Sequence, residues 1–396
     1  MSRSDVSSTN PELLAAHERG IKTRSYPQAL ADITNSKQQI AVAGSHGKSS
    51  TTSLIGVMMQ ASDMGGSTIV GTQLPQFGGS NYHHDTRSEW FAIEACEYKR
   101  HFLEYTPEIT VITNIDVDHL DYYRDSADYL SAFVSLVGRT KQAIVLSVLD
   151  SGCRELYTTV EPYERERLTW YWVGMNQFVV GDPPLIGSLS GDLKGDSVCA
   201  TIPHLRLQVP GEHLRLDGNL AYTVGQIMGI SEAECVRGLE SYTGSWRRSE
   251  VVGQTQYGNT VISDYGHHPS EIIPTLRALR EQYAEKRLIV VFQPHQHSRT
   301  RQLLASFATA FADADTLIIP DIYASRDTPE DTAWMTVGRL IETIRPYQPN
   351  IYGGEGRDAA IELVHHLDSE NPERLVFILL GAGNIDEYRG ELIKTL

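Results

Sequence analysis

Cysteine is scarce in this chain. Its four cysteines, Cys96, Cys153, Cys199 and Cys235, are scattered without Cys-x-x-Cys spacing. That pattern argues against a structural zinc site or a disulfide framework and fits a reducing compartment. Basic charge is also short: 34 Lys and Arg against 50 Asp and Glu leave a net charge of −16. A nucleic-acid or anionic-membrane surface is therefore not expected, and any anionic ligand must be held by a local pocket. No apolar run approaches the ~20 residues of a membrane span, and the polar stretch from Met1 to Asn10 has no apolar signal core. The expectation is a cytoplasmic protein with no membrane or nucleic-acid partner. Internal repeats and low-complexity tracts are missing too, which excludes solenoids and fibrous classes.

What is there looks globular. With 396 residues, 41% of them hydrophobic and 21% charged, the chain suits two or three domains with cores of their own. The most informative stretch begins with the apolar run Ile40 to Ala43, a short buried strand. It is followed by Gly44-Ser45-His46-Gly47-Lys48-Ser49-Ser50 and a helical pattern carrying Leu54, Ile55, Val57 and Met58. Strand, glycine loop, Lys-Ser and helix together form a phosphate cradle. Gly44 and Gly47 permit the tight turn, the helix start adds partial positive charge, Lys48 reaches terminal phosphates and the Ser49 hydroxyl suits Mg²⁺. The loop is shorter than the usual G-x-x-x-x-G-K-[ST], so a plain glycine turn is the alternative.

Strands alternate with helices along most of the chain. Pro11 to Gly20 and Ala29 to Ile33 read as short helices before the cradle. Glycine loops follow at Gly65-Gly66 and Gly78-Gly79. Trp90 to Ile93, Ile109 to Ile112 and Ala143 to Val148 read as strands, with a helix after Asp125 or Ser126 facing inward through Tyr129, Leu130, Phe133, Val134 and Val137. This predicts a mainly parallel sheet covered on both faces, with ligands at the carboxyl ends of its strands. From 151 to 215, short β-rich runs (Leu168 to Val173, Phe178 to Val180, Ser197 to Ile202, Leu205 to Val209) suggest a small antiparallel appendage, followed by a helix from Gly218 towards Met228. A second α/β domain of Rossmann-like type is expected after about residue 245. Its strands are Thr260 to Ser263, Leu288 to Phe292, Thr316 to Ile319 and Leu375 to Leu380, and one helix carries Leu303, Leu304, Phe307 and Phe311. The expected division is 1–35 as a linker, 36–245 as an ATP-binding domain and 246–396 as a C-terminal domain.

Polar clusters follow several strands. Glu94 and His119 stand at strand ends as Ser49 does, and hard oxygen ligands with one imidazole suit Mg²⁺. Asp116 and Asp118 remain alternative ligands. Asp264-Tyr265-Gly266-His267-His268-Pro269-Ser270-Glu271 packs titratable groups into a strand-to-helix turn. His295, His297, Arg299 and Arg301 follow the next strand, and arginines there suit bidentate capture of a carboxylate or phosphate. Arg247-Arg248 is either a solvated pair or a contact to a bound nucleotide.

These stretches resemble the Mur ligases, and within them the alanine-adding members. The matching blocks are Gly44 to Thr51, Glu94-Ala95-Cys96-Glu97, Thr113-Asn114-Ile115 with Asp118-His119, Pro210-Gly211-Glu212-His213, Asp264 to Glu271, Phe292-Gln293-Pro294-His295 with Ser298-Arg299-Thr300, Asp321-Ile322-Tyr323 and Gly381-Ala382-Gly383. They occur in family order. The resemblance implies ATP- and Mg²⁺-dependent amide ligation of L-alanine to the carboxylate of UDP-N-acetylmuramate, through an acyl phosphate, in peptidoglycan precursor synthesis. By the same resemblance, Lys48 holds the transferring phosphate and Ser49, Glu94 and His119 bind Mg²⁺. Gly44 to Ser50, Asn114, Arg248 and Asp264 belong to the nucleotide site, and Tyr265, His267, His268, His295 and Arg299 line the acceptor side, with Arg299 on the amino acid's carboxylate. The sequence departs from the family pattern in three places. The family's UDP-sugar-binding first domain is not found ahead of the cradle, so a separately encoded N-terminal domain or a truncated enzyme is expected. Leu214 and Asp217 replace asparagines that serve adenine, with Asn219 as a substitute. Ser325-Arg326-Asp327 replaces a Gly-Glu type. A ligase for another carboxylate and a non-ligating nucleotide-binding partner of cell-wall enzymes are the rival readings.

Overall fold

The computed structural model describes residues 10–119, 122–184, 198–325 and 327–393, which divide into two compact units. The first holds residues up to Gln208 together with His213–Thr243. The second holds Val209–Glu212 and Gly244 onward. Residues 1–9, read as part of the 1–35 linker, Ser197, read as a strand start, and Arg326, read as a loop position, lie outside the described residues.

The first unit is built on a sheet that has nine strands among the described residues: β1 Gln38–Ala43, β2 Ser67–Leu74, β3 Ser80–His83, β4 Trp90–Glu94, β5 Ile109–Ile112, β6 Ala143–Ser147, β7 Thr169–Val173, β8 Gln177–Val180 and β9 Val198–Thr201. Their order is β3-β2-β4-β1-β5-β6-β7-β8-β9. Pairing is parallel from β2 to β7 and antiparallel at both edges. β1 is central, and its Ile40 to Ala43 are completely buried, the continuous apolar run expected of a strand covered on both faces. The helix Ser126–Arg139, capped by Asp125, buries Tyr129, Leu130, Phe133, Leu136 and Val137 against the sheet.

Three expectations for this unit are corrected. Residues 151–215 are not an antiparallel appendage: helices Ser151–Thr159 and Pro162–Arg167 cross over so that β7 joins β6 in parallel, and β8 and β9 extend the same sheet. Leu205 to Val209 forms no strand, and the next helix starts at Glu212 instead of Gly218. β2 lies between the glycine pairs, and the edge strand β3 follows the second.

The second unit has its own sheet, six strands among the described residues: β10 Glu250–Gln254, β11 Thr260–Asp264, β12 Arg287–Phe292, β13 Thr316–Ile319, β14 Ile351–Gly353 and β15 Leu375–Leu380. The order is β10-β11-β15-β12-β13-β14, parallel except for β10. Strand alternation divides the core in two: Leu288, Val290 and Phe292 face one apolar layer, Ile289 and Val291 the other. The helix expected through Leu303 is broken there. Leu303 leaves helical geometry (φ −97°, ψ 10°), separating His297–Gln302 from Leu304–Phe307. Among the described residues no helix is long and apolar enough to cross a membrane.

Candidate functional site

β1 lies between β4 and β5, with Val42 in register with Glu94 and Ala43 with Ile112. Topology alone therefore brings three loops to one edge of the first unit: Gly44–Gly47 after β1, Glu94–Glu97 after β4 and Thr113–His119 after β5. This is the carboxyl end of the sheet, where α/β folds gather ligands.

The β1 loop is shaped by two left-handed glycines. Gly44 has φ +134°, and a Cβ there would lie 2.1 Å from Thr113 Oγ1; Gly47 has φ +80°, and a Cβ would lie 2.8 Å from Asp217 Oδ1. The helix Lys48–Ala61 follows directly, with no side-chain cap on its first N–H groups, so they remain for an anion. Asn114 braces the loop: its Oδ1 accepts from His46 N at 3.0 Å and its Nδ2 donates to His46 O at 2.9 Å. Ser45 Oγ donates to Asp116 O, accepts from Asp116 N and contacts Tyr129 Oη at 2.8 Å. Ser45 and Asn114 thus hold backbone, and His46 Nε2 stands 3.7 Å from Asp116 Oδ2. Ser50 is buried in the first helical turn.

Lys48 Nζ donates to Gly44 O (2.5 Å) and Ser45 O (3.0 Å) and pairs with Glu97 at 3.0 Å. Glu97, only 1% exposed, also receives His119 Nε2 at 3.2 Å. Burial is the largest influence on Lys48 and works to lower its pKa, but the charges of Glu97, Cys96 and Glu94 and the Glu97 hydrogen bond together outweigh it and hold the ammonium above its ordinary value. Burial likewise works to raise Glu97, and Lys48 and His119 outweigh it, holding the carboxyl below its usual range. Ser49 Oγ donates to Glu94 Oε1 at 3.1 Å, while Glu94 Oε2 accepts from Gly71 N at 2.6 Å. The three expected metal ligands thus divide: Ser49 is bonded to Glu94, and His119 is paired with Glu97. The residues fit both implied groups. The glycines leave a cradle that a Cβ would fill, and a hydroxyl beside a carboxylate is a hard oxygen pair suited to Mg²⁺.

In the second unit, the loops after β11, β15, β12 and β13 come together in the same way. Asp264 is buried and accepts from Ser249 N (2.6 Å) and Gly266 N (2.7 Å), which fixes the turn. Burial pushes its carboxyl upward, against Arg248 and those N–H groups. Tyr265, His267, His295 and Tyr323 form a row of rings with successive centroids 5.6, 6.2 and 5.3 Å apart. Arg248 lies over Tyr265 and 3.7 Å from Glu271. His268 caps the helix Pro269–Gln282, its Nδ1 2.6 Å from Ser270 Oγ. Arg299 is half-buried on the short helix His297–Gln302.

Some residues at the sites were not singled out, or not placed, from sequence. Glu97 was visible only as the last letter of a quoted motif. Arg247, read from sequence with Arg248 as a solvated pair or a nucleotide contact, is not solvated: it is 5% exposed, donates to Gly381 O and Gly383 O and lies against Tyr265. Asp327 Oδ1 accepts from Ser298 N and Ser298 Oγ, each at 2.9 Å, tying the His297–Gln302 helix to the loop after β13.

Comparison with known proteins agrees with this arrangement. Residues 42–163 match the Mur ligase middle domain, and residues 247–383 match the domain described as Mur ligase, glutamate ligase domain. A UDP-N-acetylmuramate–L-alanine ligase from Acidobacterium capsulatum is 34% identical over 396 residues, covering 99% of this chain and 83% of the relative. A protein of the same name from Alkaliphilus metalliredigens is 33% identical, covering 96% and 80%. Among solved structures, the UDP-N-acetylmuramate-alanine ligase of Thermotoga maritima superposes with a TM-score of 0.72 at 20% identity, covering 98% and 82%. Folylpolyglutamate synthase of Mycobacterium tuberculosis, complexed with ADP and AMPPCP, gives 0.61 at 15%, covering 93% and 95%. At these identities the structures speak for the fold alone; the sequence relatives carry the family. The chain belongs to the Mur ligases, a family of ATP-dependent ligases, and aligns almost end to end with members named UDP-N-acetylmuramate–L-alanine ligase.

Proposed function

We propose that the chain joins L-alanine to the carboxylate of UDP-N-acetylmuramate at the expense of ATP. The observation that carries the ATP half is the set Lys48, Ser49 and Glu94 at adjacent ends of β1 and β4, on a loop with two left-handed glycines. The names of relatives aligned over nearly the whole chain support the choice of acceptor and amino acid.

In this reading the acceptor carboxylate attacks the γ-phosphorus of ATP, and the bond to the β,γ-bridging oxygen breaks to release ADP. The alanine amine then attacks the acyl phosphate carbon, loses a proton and expels phosphate as the amide forms. The protein's task is positioning and charge neutralisation. Lys48 gives up one of its present acceptors to reach phosphate oxygens. Backbone N–H groups of the loop and of the Lys48 helix start cradle the remaining charge, with Asn114 and Ser45 keeping that backbone in shape. Ser49 and Glu94 would hold Mg²⁺, with His119 as the third ligand; the ion supplies neutralisation of phosphate charge. Within the second unit, Arg299 would grip the amino acid's carboxylate, and the Tyr265, His267 and His295 rings would line the acceptor side.

The test is phosphate release from Mg-ATP with UDP-N-acetylmuramate, with and without L-alanine, alongside a panel of other carboxylate acceptors and amino acids. Alanine-dependent release with UDP-N-acetylmuramate is expected. Faster turnover on a different acceptor, or release indifferent to any amino acid, would overturn the assignment.

A further inference from the structure

We infer that Glu97 is a positioning residue for Lys48, and that by occupying the ammonium it sets how tightly the cradle takes the terminal phosphates of a nucleotide. The inference rests on the nucleotide reading above. An ammonium has three donors. In this structure they are taken by Gly44 O at 2.5 Å, Ser45 O at 3.0 Å and the Glu97 carboxylate at 3.0 Å. A phosphate can be gripped only when one of the three lets go, and Glu97 is the charged one.

Glu97 is also firmly seated. It follows β4, next to β1, is 1% exposed, and its backbone carbonyl accepts from the buried Tyr123 Oη at 2.5 Å. Its Oε1 lies 3.1 Å from Lys48 Nζ and 3.2 Å from His119 Nε2. With no Mg²⁺ present, His119 stays beside the carboxylate when Lys48 turns to a phosphate, so exchange of the lysine leaves Glu97 with a partner. Glu97 thus competes for Lys48 in the resting state and releases it only to a ligand with more negative charge. A purely structural counter-ion would affect folding without this effect on affinity.

The experiment is ATP binding by titration calorimetry on the full chain in EDTA. Glu97→Gln should bind ATP about tenfold more tightly, the scale of one partly screened charge pair. Lys48→Met should bind more weakly, and adding Glu97→Gln to it should give little further change, because the carboxylate acts through the ammonium. Unchanged or weaker binding by Glu97→Gln, or equal tightening in the Lys48→Met background, would overturn the inference. If Glu97→Gln does not fold, Glu97→Asp, which keeps the charge but retracts it, should tighten binding by a smaller factor; no tightening would again overturn it. Wild-type affinity in Lys48→Met would instead sink the nucleotide reading itself.

Discussion

Asn114→Asp is an isosteric change with a calculable effect. In the native loop the amide clamps both backbone groups of His46, accepting from N at 3.0 Å and donating to O at 2.9 Å. The aspartate keeps the first bond, but its second oxygen faces the His46 carbonyl, acceptor against acceptor. One lost bond of about 1 kcal/mol plus a confronted oxygen in a half-buried site comes to about 2–3 kcal/mol. Asn114→Ala removes both bonds without the confrontation, and Thr113 Oγ1 still serves His46 O, so about 1–2 kcal/mol is expected. For a unit of this size that places the Asp variant roughly 5–10 °C lower in Tm. Urea denaturation followed by circular dichroism gives both values, with an unchanged m if only stability moved. ATP affinity should fall in the same order, since what is released is the loop backbone. An Asp variant within about 0.5 kcal/mol of wild type, where harmless surface changes fall, would show that the amide does not clamp this loop. An alanine variant worse than aspartate would refute the repulsion argument.

Other consequences can be measured in the same way. Gly44→Ala should abolish ATP binding, and adding Thr113→Ala should not restore it, because the new Cβ would still meet Asn114 O at 3.0 Å and Thr113 N at 3.1 Å. Arg247→Lys should destabilise the second unit by about 2–4 kcal/mol in urea melts, since lysine cannot span the Gly381 and Gly383 carbonyls with one planar fork. Burial works to raise the Asp327 carboxyl, but the N–H groups of Ser298, Ser325 and His297 outweigh it and hold the pKa below its ordinary value. The stability this group supplies is therefore present above its unfolded pKa of about 3.9 and lost as pH falls through the lower folded value. The difference in urea midpoint between wild type and Asp327→Asn should shrink on going from neutral pH into that acid range; a constant difference would contradict the assignment.

The central strands were legible because burial on both faces leaves an unbroken apolar run. Ile40–Ala43, Ile109–Ile112, Leu288–Phe292 and Leu375–Leu380 are all of this kind. The edges were not. β2 carries Ser67, Thr68, Gly71, Thr72 and Gln73, β10 is half-exposed, and β14 has three residues. β7 was recognised as a strand and assigned to the wrong sheet. Its alternation, Thr169-Trp170-Tyr171-Trp172, reads as antiparallel, and the polar helices that carry the chain over for a parallel pairing have little apolar signal.

The candidate sites show a sharper limit. Sequence gives which chemistry stands at the end of which strand, but a side chain's partner depends on which strands are neighbours. Because β4 and β5 flank β1, Glu97 meets Lys48, and Asn114 meets His46. No spacing along the chain encodes a 49-residue or 68-residue contact of that kind. The two arginines at 247 and 248 make the same point without any difference of residue type. Arg247 has φ 55° and turns its guanidinium inward to the Gly381 and Gly383 carbonyls, while Arg248 stays partly exposed beside Glu271. Identical in chemistry and adjacent in sequence, they take different surroundings: the buried one ties down two loop carbonyls, and the partly exposed one lies over Tyr265 and near Glu271.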